Sequence, residues 1–404
     1  SVLMDKRAKL LWQYVDKWAA KKPDAEAIVF GDLRMTWAQL VEAVDRTARA
    51  LLELGVEKGN CVALVSMARP EFIITFMAAS KIGAIWTGLS PRFSVSETGR
   101  ILRDCRPTVL ITQDRHENAN LVERALTFSF ELSCIQEILV IGDAPGGTLS
   151  FDAFTADPRP HMDAPLKERL AQVSPDDEAL LMFTSGSSGF PKGVLHTHRS
   201  IISNVEQEQE LLGLSGDTRI LLHFPINHVA ADVEIGYCAV YSGACLVMQE
   251  GFDAGEALKI VDREGITMIG QVPAMYMLEI RDPAFAKTSW NSVKTFVWGG
   301  SAASKDLLEA LEKVCRRTGA HMLTGYGATE MGGFVTITRP GDSMESMRLN
   351  VGLPYRNCEL RIVDGDRKPV EAGVVGEVAV KGPFLMKGYL NSPALTEEVL
   401  DKDG

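Results

Sequence analysis

The segment at residues 184–194 reads Thr-Ser-Gly-Ser-Ser-Gly-Phe-Pro-Lys-Gly-Val and lies between two apolar stretches. Gly186 and Gly189 permit backbone conformations that other residues resist, so successive N–H groups can point into one concavity and bind an anion. Lys192 adds a mobile positive charge. Hydroxyl groups add further donors, those of Thr184, Ser185, Ser187 and Ser188. The segment therefore predicts a phosphate-binding loop between two strands and favours a nucleotide-dependent enzyme.

This loop is not a Walker loop, because that motif needs a glycine directly before the lysine and a serine or threonine after it. Here Pro191 and Gly193 occupy those two positions. A flexible serine- and glycine-rich linker is the alternative interpretation. The apolar residues at 180–183 and 193–195 favour attachment between two strands instead.

Length and charge limit the class of protein. A chain of 404 residues is expected to form two or three structural units. Apolar residues make up 46% and charged residues 24% of the chain, as in ordinary globular proteins. The net charge of −11 disfavours nucleic acid as a partner, so a bound polyanion must be held by a local loop.

The cysteines and the most hydrophobic window indicate where the protein works. The seven cysteines are scattered and include no C-x-x-C pair, which predicts a reduced, cytoplasmic location. The window at 72–89 is interrupted by Lys81 and Gly83, so it predicts a helix followed by a strand and no integral membrane segment.

The order of predicted elements favours an α/β fold. Thr36 and Gln39 have the spacing of a capping box and begin an amphipathic helix that ends near Gly55. A strand, a helix and a second strand follow at 61–66, 70–82 and 84–89, and the same order returns at 220–224, 232–241 and 244–249. The stretch at 142–175 is expected to be a surface connection. After residue 341, short strands are predicted at 360–363, 376–380 and 384–386.

Three downstream clusters, taken with the serine- and glycine-rich loop, resemble motifs of the adenylate-forming superfamily of acyl-CoA synthetases, luciferases and peptide-synthetase adenylation domains. They are Gly-Gly-Ser-Ala at 299–302, Gly-Tyr-Gly-Ala-Thr-Glu at 325–330, and Gly-Glu-Val-Ala-Val-Lys-Gly-Pro at 376–383 leading to Gly388-Tyr389. The resemblance spans nearly the whole chain. It implies two mostly parallel sheets flanked by helices in a layered αβαβα arrangement, plus a small β-barrel-like lobe.

The resemblance also implies how the chain is divided. Residues 1–404 would form the N-terminal AMP-binding domain, with approximate lobes at 1–175, 176–340 and 341–404. Relatives continue into a mobile C-terminal domain that carries a catalytic lysine. This chain is expected to lack that domain and to turn over poorly alone, and a homodimer stays open.

Members of the superfamily use ATP and Mg²⁺ to convert a carboxylic acid into an acyl-adenylate, then usually pass the acyl group to coenzyme A. By resemblance, residues 184–192 bind the β- and γ-phosphates, Thr329 donates to the α-phosphate, and Glu330 ligates Mg²⁺. Tyr326 would lie against the adenine. Small residues would leave room around the base, namely Gly300, Ser301, Ala302, Gly325 and Gly327.

Resemblance places His228 between the acid pocket and the thiol channel. The implied pocket is mostly apolar and includes Val229, Val233, Trp298, Gly299, Gly325 and Met331, which predicts an aryl, alicyclic or fatty acid. Amino-acid-activating relatives carry an aspartate where this chain has Val229, so an amino acid is disfavoured, although Asp232 could substitute. Trp298 is expected to shorten the pocket.

Other interpretations stay open. The chain could be an adenylation unit that loads an amino or aryl acid onto a carrier protein, or a nucleotide-binding module without chemistry of its own. His196 and His198 have a spacing that metal ligands sometimes show, but no cysteine or carboxylate nearby completes a site. Glu377 is expected to be mainly a structural joint.

Overall fold

The computed structural model describes residues 9–185 and 189–404. Its strands are β1 (Glu26–Phe30), β2 (Leu33–Thr36), β3 (Cys61–Val65), β4 (Ile85–Leu89), β5 (Val109–Gln113), β6 (Arg115–His116), β7 (Ala119–Asn120), β8 (Glu137–Ile141), β9 (Leu149–Ser150), β10 (Glu178–Ser185), β11 (Pro191–Thr197), β12 (Arg219–Leu222), β13 (Cys245–Met248), β14 (Met268–Gln271), β15 (Thr295–Trp298), β16 (His321–Ala328), β17 (Gly333–Ile337), β18 (Leu353–Pro354), β19 (Glu359–Val363), β20 (Glu377–Lys381) and β21 (Gly388–Tyr389).

The α-helices are α1 (Gln13–Lys21), α2 (Trp37–Glu53), α3 (Pro70–Lys81), α4 (Val95–Cys105), α5 (Leu121–Glu131), α6 (Phe151–Ala156), α7 (Asp163–Leu170), α8 (His198–Leu212), α9 (Cys238–Ser242), α10 (Ala254–Arg263), α11 (Pro273–Arg281), α12 (Lys305–Thr318), α13 (Met344–Leu349) and α14 (Pro393–Val399). A π-helix at Ala230–Tyr237 leads into α9, and short 3₁₀ turns lie at Pro160–Met162, Pro283–Lys287 and Thr329–Met331.

Two large sheets organise these elements. The first has eight strands in the order β21-β11-β10-β4-β3-β5-β8-β9, and the second has nine in the order β18-β17-β16-β15-β14-β12-β13-β1-β2. The central pairs are parallel in both sheets, such as β3 with β4 and β12 with β13. Antiparallel pairs lie toward the edges, where β10 pairs with β11 and β16 with β17.

The side chains of the first sheet alternate between two cores, which sets the layers. Val62 and Leu64 on β3 face a core shared with α2, α3, α8 and the second sheet. Ala63 and Val65 on the same strand face α4 and α5 instead. A third core packs α10, α11 and α12 on the far side of the second sheet. The predicted αβαβα layering is therefore confirmed.

Local signals placed several elements correctly. Thr36 caps α2, since its hydroxyl accepts from the Gln39 backbone N–H at 3.2 Å while the Gln39 side chain accepts from the Thr36 N–H at 2.9 Å. The helix and strand expected in the most hydrophobic window are α3 and β4. In the part of the chain that is described, no helix has both the length and the apolar character needed to span a bilayer.

Other expectations need correction. The approximate boundary at residue 175 does not divide the sheets, because β1 and β2 join the second sheet while β10 and β11 join the first. The stretch at 142–175 contains β9, α6 and α7, because apolar side chains such as Phe151 and Leu166 anchor it to the central core.

The region after residue 341 is divided among several sheets. β19 and β20 pair with each other, whereas β18 joins the second sheet and β21 the first. The strand expected at 384–386 lies instead at β21, because Met386 donates its N–H to the Glu330 carbonyl at 2.8 Å and only the residues after it reach β11.

Candidate nucleotide and acid site

The carboxyl ends of β15 and β16 form the floor of a cleft, at the edge of a parallel sheet where ligands commonly bind. Trp298 ends β15, pairs in register with Thr324 on β16, and is only 2% exposed. The Thr324 hydroxyl donates to the Trp298 carbonyl at 2.9 Å and ties the two strands together. Thr324 therefore has a structural role.

The cleft has a volume of about 470 Å³, within the range of small-molecule sites. It brings together ten of the residues expected to bind nucleotide or acid, namely His228, Val229, Trp298, Gly300, Ser301, Ala302, Gly325, Tyr326, Gly327 and Thr329. Residues 347–351, at the end of α13 and just after it, line another part of the cleft. Distant parts of the sequence thus converge on one concave surface.

Two positions of β16 require glycine because of strand packing, which is a more direct reason than room for an adenine base. A Cβ on Gly325 would lie 2.4 Å from the Thr336 carbonyl oxygen, and a Cβ on Gly327 would lie 1.8 Å from that of Gly333. Both distances are too short for real atoms, so these glycines are needed for the close approach of β16 and β17. Gly300 differs, since its φ of +85° favours glycine and its Cβ would have ordinary contacts.

Two buried side chains fix the turn that carries Thr329 and Glu330. The His196 ring places Nε2 2.7 Å from the Thr329 carbonyl and Nδ1 2.8 Å from the Ser200 hydroxyl. Because a carbonyl can only accept, Nε2 carries the proton. Burial lowers the pKa of His196 to about 4, so the ring stays neutral near pH 7.

Asn204 holds the other end of this turn. Its side-chain amide donates to the carbonyls of Met331 at 3.1 Å and Phe334 at 2.9 Å. The residue is fully buried, so both bonds are shielded from water. The backbone from 329 to 334 is thereby fixed by groups on β11 and α8.

Tyr389 links Glu330 to the lysine of the predicted phosphate loop. Its hydroxyl donates to Glu330 Oε1 at 2.9 Å, and the Lys192 ammonium lies 5.3 Å from the centre of its ring. Burial and the neighbouring carboxylate both raise the pKa of Tyr389, so the hydroxyl keeps its proton. Neither Lys192 nor Glu330 lines the cleft described above.

The predicted phosphate loop joins two paired strands, as expected. Thr184 and Lys192 are direct partners in the β10–β11 register, and Gly189 has a φ of +78°. Gly186, Ser187 and Ser188 lie outside the described residues. Lys192 and Thr184 are thus held side by side at the base of the loop.

His228 stands at the wall of the cleft. Its ring stacks on Phe224 with centroids 5.6 Å apart, and its Nδ1 accepts from the Ala230 N–H at 3.1 Å. Nε2 therefore carries the proton of the neutral ring. Desolvation by the cleft walls lowers the pKa of His228, although the residue is still exposed.

Some predicted acid-pocket residues lie elsewhere. Val233 is fully buried in the central core. Gly299 and Met331 also do not line the cleft; a Cβ on Gly299 would lie 2.6 Å from the Phe334 ring, so this glycine makes room for that side chain. Glu234, the residue after Val233, lines the cleft instead.

Asp232 does not stand where it could pair with a substrate amine. It is fully buried, neither carboxyl oxygen has a hydrogen-bond partner among the described residues, and it does not line the cleft. Burial raises the pKa of Asp232 well above its usual range, which keeps the group neutral. This geometry does not support Asp232 as a substitute for the aspartate of amino-acid-activating relatives.

The paired histidines have structural partners. His198 Nδ1 accepts from the Leu11 N–H at 3.0 Å, just as His196 is occupied by Ser200 and Thr329. Over residues 9–185 and 189–404, no group of three or more His, Cys, Asp or Glu side chains is arranged to hold a metal ion. Glu377 begins β20 opposite Val363, as a joint of the small β-pair.

Comparison with known proteins identifies the family. The family model described as "AMP-binding enzyme" matches residues 15–390. The chain belongs to the AMP-binding enzyme family. Its relatives include CoA ligases that act on acyl and aryl acids. One relative, the indoleacetate–CoA ligase of Aromatoleum aromaticum, is 30% identical over 395 residues, which cover 98% of this chain and 74% of that protein. The feruloyl-CoA synthase of an Amycolatopsis species is 30% identical over 387 residues, which cover 96% of this chain and 72% of that protein.

Solved structures of AMP-binding enzymes have the same fold. The anthranilate CoA ligase AuaEII, solved with anthranoyl-AMP, superposes with a TM-score of 0.86 at 25% identity over 96% of this chain and 72% of that chain. The N-terminal domain of FACL13 from Mycobacterium tuberculosis superposes with a TM-score of 0.78 at 26% identity. The match covers 97% of this chain and 94% of that chain.

Proposed function

We propose that this chain binds ATP and an apolar carboxylic acid, activates the acid as an acyl-adenylate, and takes part in forming its CoA thioester. The observation that carries this proposal is the single cleft that unites His228 and Trp298 with the glycine-rich turns at 300–302 and 325–329. An acid and a nucleotide bound there would lie side by side. The family match to AMP-binding enzymes supports the same chemistry.

The adenine would occupy the nucleotide side of the cleft. Tyr326 is half-buried and lines it, so the ring offers an apolar face for stacking. The exposed turn at Gly300, Ser301 and Ala302 presents small side chains and backbone groups to the opposite face and edge. Stacking plus a few polar contacts is the usual way in which such clefts hold a flat ligand.

The reaction brings a carboxylate against a highly charged triphosphate, so like charges must be screened and held in line. Lys192 and the backbone around Gly189 would take the leaving diphosphate, and Thr329 would donate to the α-phosphate. Positioning and electrostatic stabilisation supply most of the catalysis in such transfers. The fixed turn under Thr329 suits this role because its donor would need little reorganisation.

The residues present also fit a magnesium ion. Mg²⁺ is usually held by one or two carboxylates together with substrate phosphates and water, so it does not need a cage of protein ligands. Glu330 provides one carboxylate, oriented through Oε1 by Tyr389. The ion, when bound, would neutralise phosphate charge, and Glu330 would hold it beside Thr329.

The nature of the acid follows from the cleft wall and from the relatives. Val229, Trp298 and Phe334 present apolar surface. Two of the similar proteins are named for indoleacetate and feruloyl-CoA, and both names support an aryl acid within the predicted class. His228 would lie beside the acid carboxyl group. We also propose a cytoplasmic location. The seven cysteines are all free thiols, which is consistent with a reduced compartment.

Binding can be tested on this chain without relying on turnover. Calorimetric titration with Mg·ATP and with an aryl acyl-sulfamoyladenosine, a stable mimic of the adenylate, should give saturable binding with the mimic tighter. Tyr326→Ala should weaken both, and Lys259→Ala on α10 should weaken neither. No binding of either probe would refute the proposal. Pyrophosphate and thioester formation with an acid panel, with and without free CoA, then separates a CoA acceptor from a carrier protein.

A further inference from the structure

Glu234 reaches the cleft from an unusual helix. The chain from Ala230 to Tyr237 is a π-helix, a rare form that is frequently found at functional sites. Gly236 permits it, because a Cβ there would lie 2.3 Å from the Ala231 carbonyl oxygen. The π-helix buries Asp232 and Val233 completely while Glu234 stays half-buried along the cleft.

One carboxyl oxygen of Glu234 is fixed. Oε1 accepts from the Phe334 backbone N–H at 2.8 Å. Space for the side chain is provided by Gly333, since a Cβ there would lie 2.5 Å from Glu234 Cγ. The carboxyl group is therefore docked against the backbone at the start of β17.

Only Oε1 of Glu234 has a hydrogen bond to a described residue, so Oε2 keeps its accepting capacity for a ligand. Val229, Trp298 and Phe334 share the cleft wall with Glu234. Once a bound acid displaces water from this cleft, a carboxyl oxygen left without a donor is costly. Burial raises the pKa of Glu234 above its ordinary value, and burial together with the charge of Glu234 raises the pKa of the nearby Glu208 carboxyl.

We propose that Glu234 selects acids that carry a hydrogen-bond donor on the acyl group. The substrate class would be an aryl or arylalkyl carboxylic acid with a hydroxyl, amino or ring N–H group that donates to Oε2, rather than a wholly apolar acid. This inference rests on the proposed function, because it places the acyl group of the adenylate in this cleft. Glu234 acts here as a specificity residue, and its carboxyl group takes no part in bond making.

The test uses matched acyl-sulfamoyladenosines made from 3-phenylpropanoic acids. Each pair carries an amino or a methyl group, which are similar in size, at the ortho, meta or para position, and dissociation constants are measured by calorimetry on the full chain. The titrations are run at about pH 8.5 so that Glu234 is ionised despite its raised pKa, and a hydrogen bond to a charged group is worth about 10- to 100-fold in affinity. In at least one pair, the amino member should bind tighter by about that factor.

Glu234→Gln is the sharpest variant because it keeps the shape of the side chain. Its amide oxygen can still accept from the Phe334 N–H, which turns the NH₂ group, a donor, into the place of Oε2. The amino preference should fall to about one or reverse. Glu309→Gln, on the exposed part of α12, should leave the preference unchanged.

The outcomes separate the inference from the proposed function. If the methyl member binds as tightly in every pair, or if the amino preference survives in Glu234→Gln, selection by Glu234 is refuted while adenylate binding stands. If no member of any pair binds, the proposed function itself fails, and this inference fails with it. Comparing the three pairs within the wild-type chain keeps the test valid even if Glu234→Gln does not fold.

Discussion

The hydroxyl of Tyr389 donates to Oε1 of Glu330 across 2.9 Å, although the two residues are 59 positions apart in the chain. β21, which carries the tyrosine, pairs with β11, which begins at Pro191 and includes Lys192. One short edge strand therefore orients the proposed Mg²⁺ ligand and packs against the proposed phosphate-binding lysine. Among the described residues, Glu330 accepts no other side-chain hydrogen bond, which leaves its remaining lone pairs for a cation, while Tyr389 restricts its rotation.

Tyr389→Phe should weaken Mg·ATP binding by about 10- to 100-fold, because a hydrogen bond to a charged group is lost and Glu330 is no longer fixed. The measurement is the apparent dissociation constant of ATP at several Mg²⁺ concentrations. The half-saturating Mg²⁺ concentration should also rise.

Tyr355→Phe is the matched control for this prediction. The Tyr355 hydroxyl is buried and has no hydrogen-bond partner among the described residues, so its removal should leave ATP and Mg²⁺ binding unchanged. Equal effects of the two substitutions would contradict a specific role for Tyr389.

Glu279 should make stability depend on pH. It is 1% exposed, and its Oε2 accepts from the Gln271 amide at 3.0 Å. Burial raises the pKa of Glu279 to about 8, above the ordinary value of 4.5. The folded state thus holds a proton that the unfolded chain releases, so this contribution to stability is complete below pH 4.5 and is lost as the pH rises to about 8.

For one proton the free energy of unfolding should fall by up to about 1.4 kcal/mol per pH unit in that window. Glu279→Gln should flatten this slope. Urea unfolding between pH 6.5 and 8 measures this slope. That pH range lies above the one in which the buried histidines become protonated. Glu309→Gln, which changes an exposed carboxylate, should keep the wild-type slope, and a wild-type slope in Glu279→Gln would contradict the prediction.

Gly327→Ala should destabilise the protein by about 1–3 kcal/mol, because the added carbon would overlap the Gly333 carbonyl and push β17 away from β16. Gly146→Ala is the comparison, since nothing lies within 4 Å of its Cβ position and its φ is not positive. Its effect should stay within about 0.5 kcal/mol. Equal urea midpoints for the two variants would show that strand contact does not require Gly327.

Trp298→Ala should shift the preference of the cleft toward longer acids. The indole lines the cleft together with Val229, and we expect it to limit the depth; the Thr324 hydroxyl would still bond to the backbone carbonyl of residue 298. Each additional buried methylene is worth about 0.8 kcal/mol, roughly fourfold in affinity. Dissociation constants for a series of straight-chain acyl-sulfamoyladenosines measure this, and an unchanged chain-length profile would rule out Trp298 as the limit.

Much of the architecture was predictable because its signals are local. The capping box at Thr36 and the apolar strand expected at 61–66 are dictated by neighbouring residues, and they appear as the start of α2 and as β3 (Cys61–Val65). The assignment of strands to sheets was not predictable, since the β1–β13 pairing joins segments more than 200 residues apart. Nothing near residue 26 indicates which sheet it enters.

The cleft was predictable through its motifs, and the residues that support it were not. Tyr326 and Gly300 stand in recognisable clusters, and they do line one cavity. Asn204 and Tyr389 act through contacts with distant segments, which no spacing reveals. Glu234 had a weak signal, a carboxylate within an apolar stretch, but only the π-helix shows that it faces the cleft while Val233 does not.

The most direct test of the account is a crystal structure of the chain with an aryl acyl-sulfamoyladenosine and Mg²⁺. The account predicts the adenine against Tyr326, the sulfamate beside Thr329, and the aryl group between Trp298 and Glu234. An adenosine bound at another surface, or an aryl group that points away from Trp298, would contradict it.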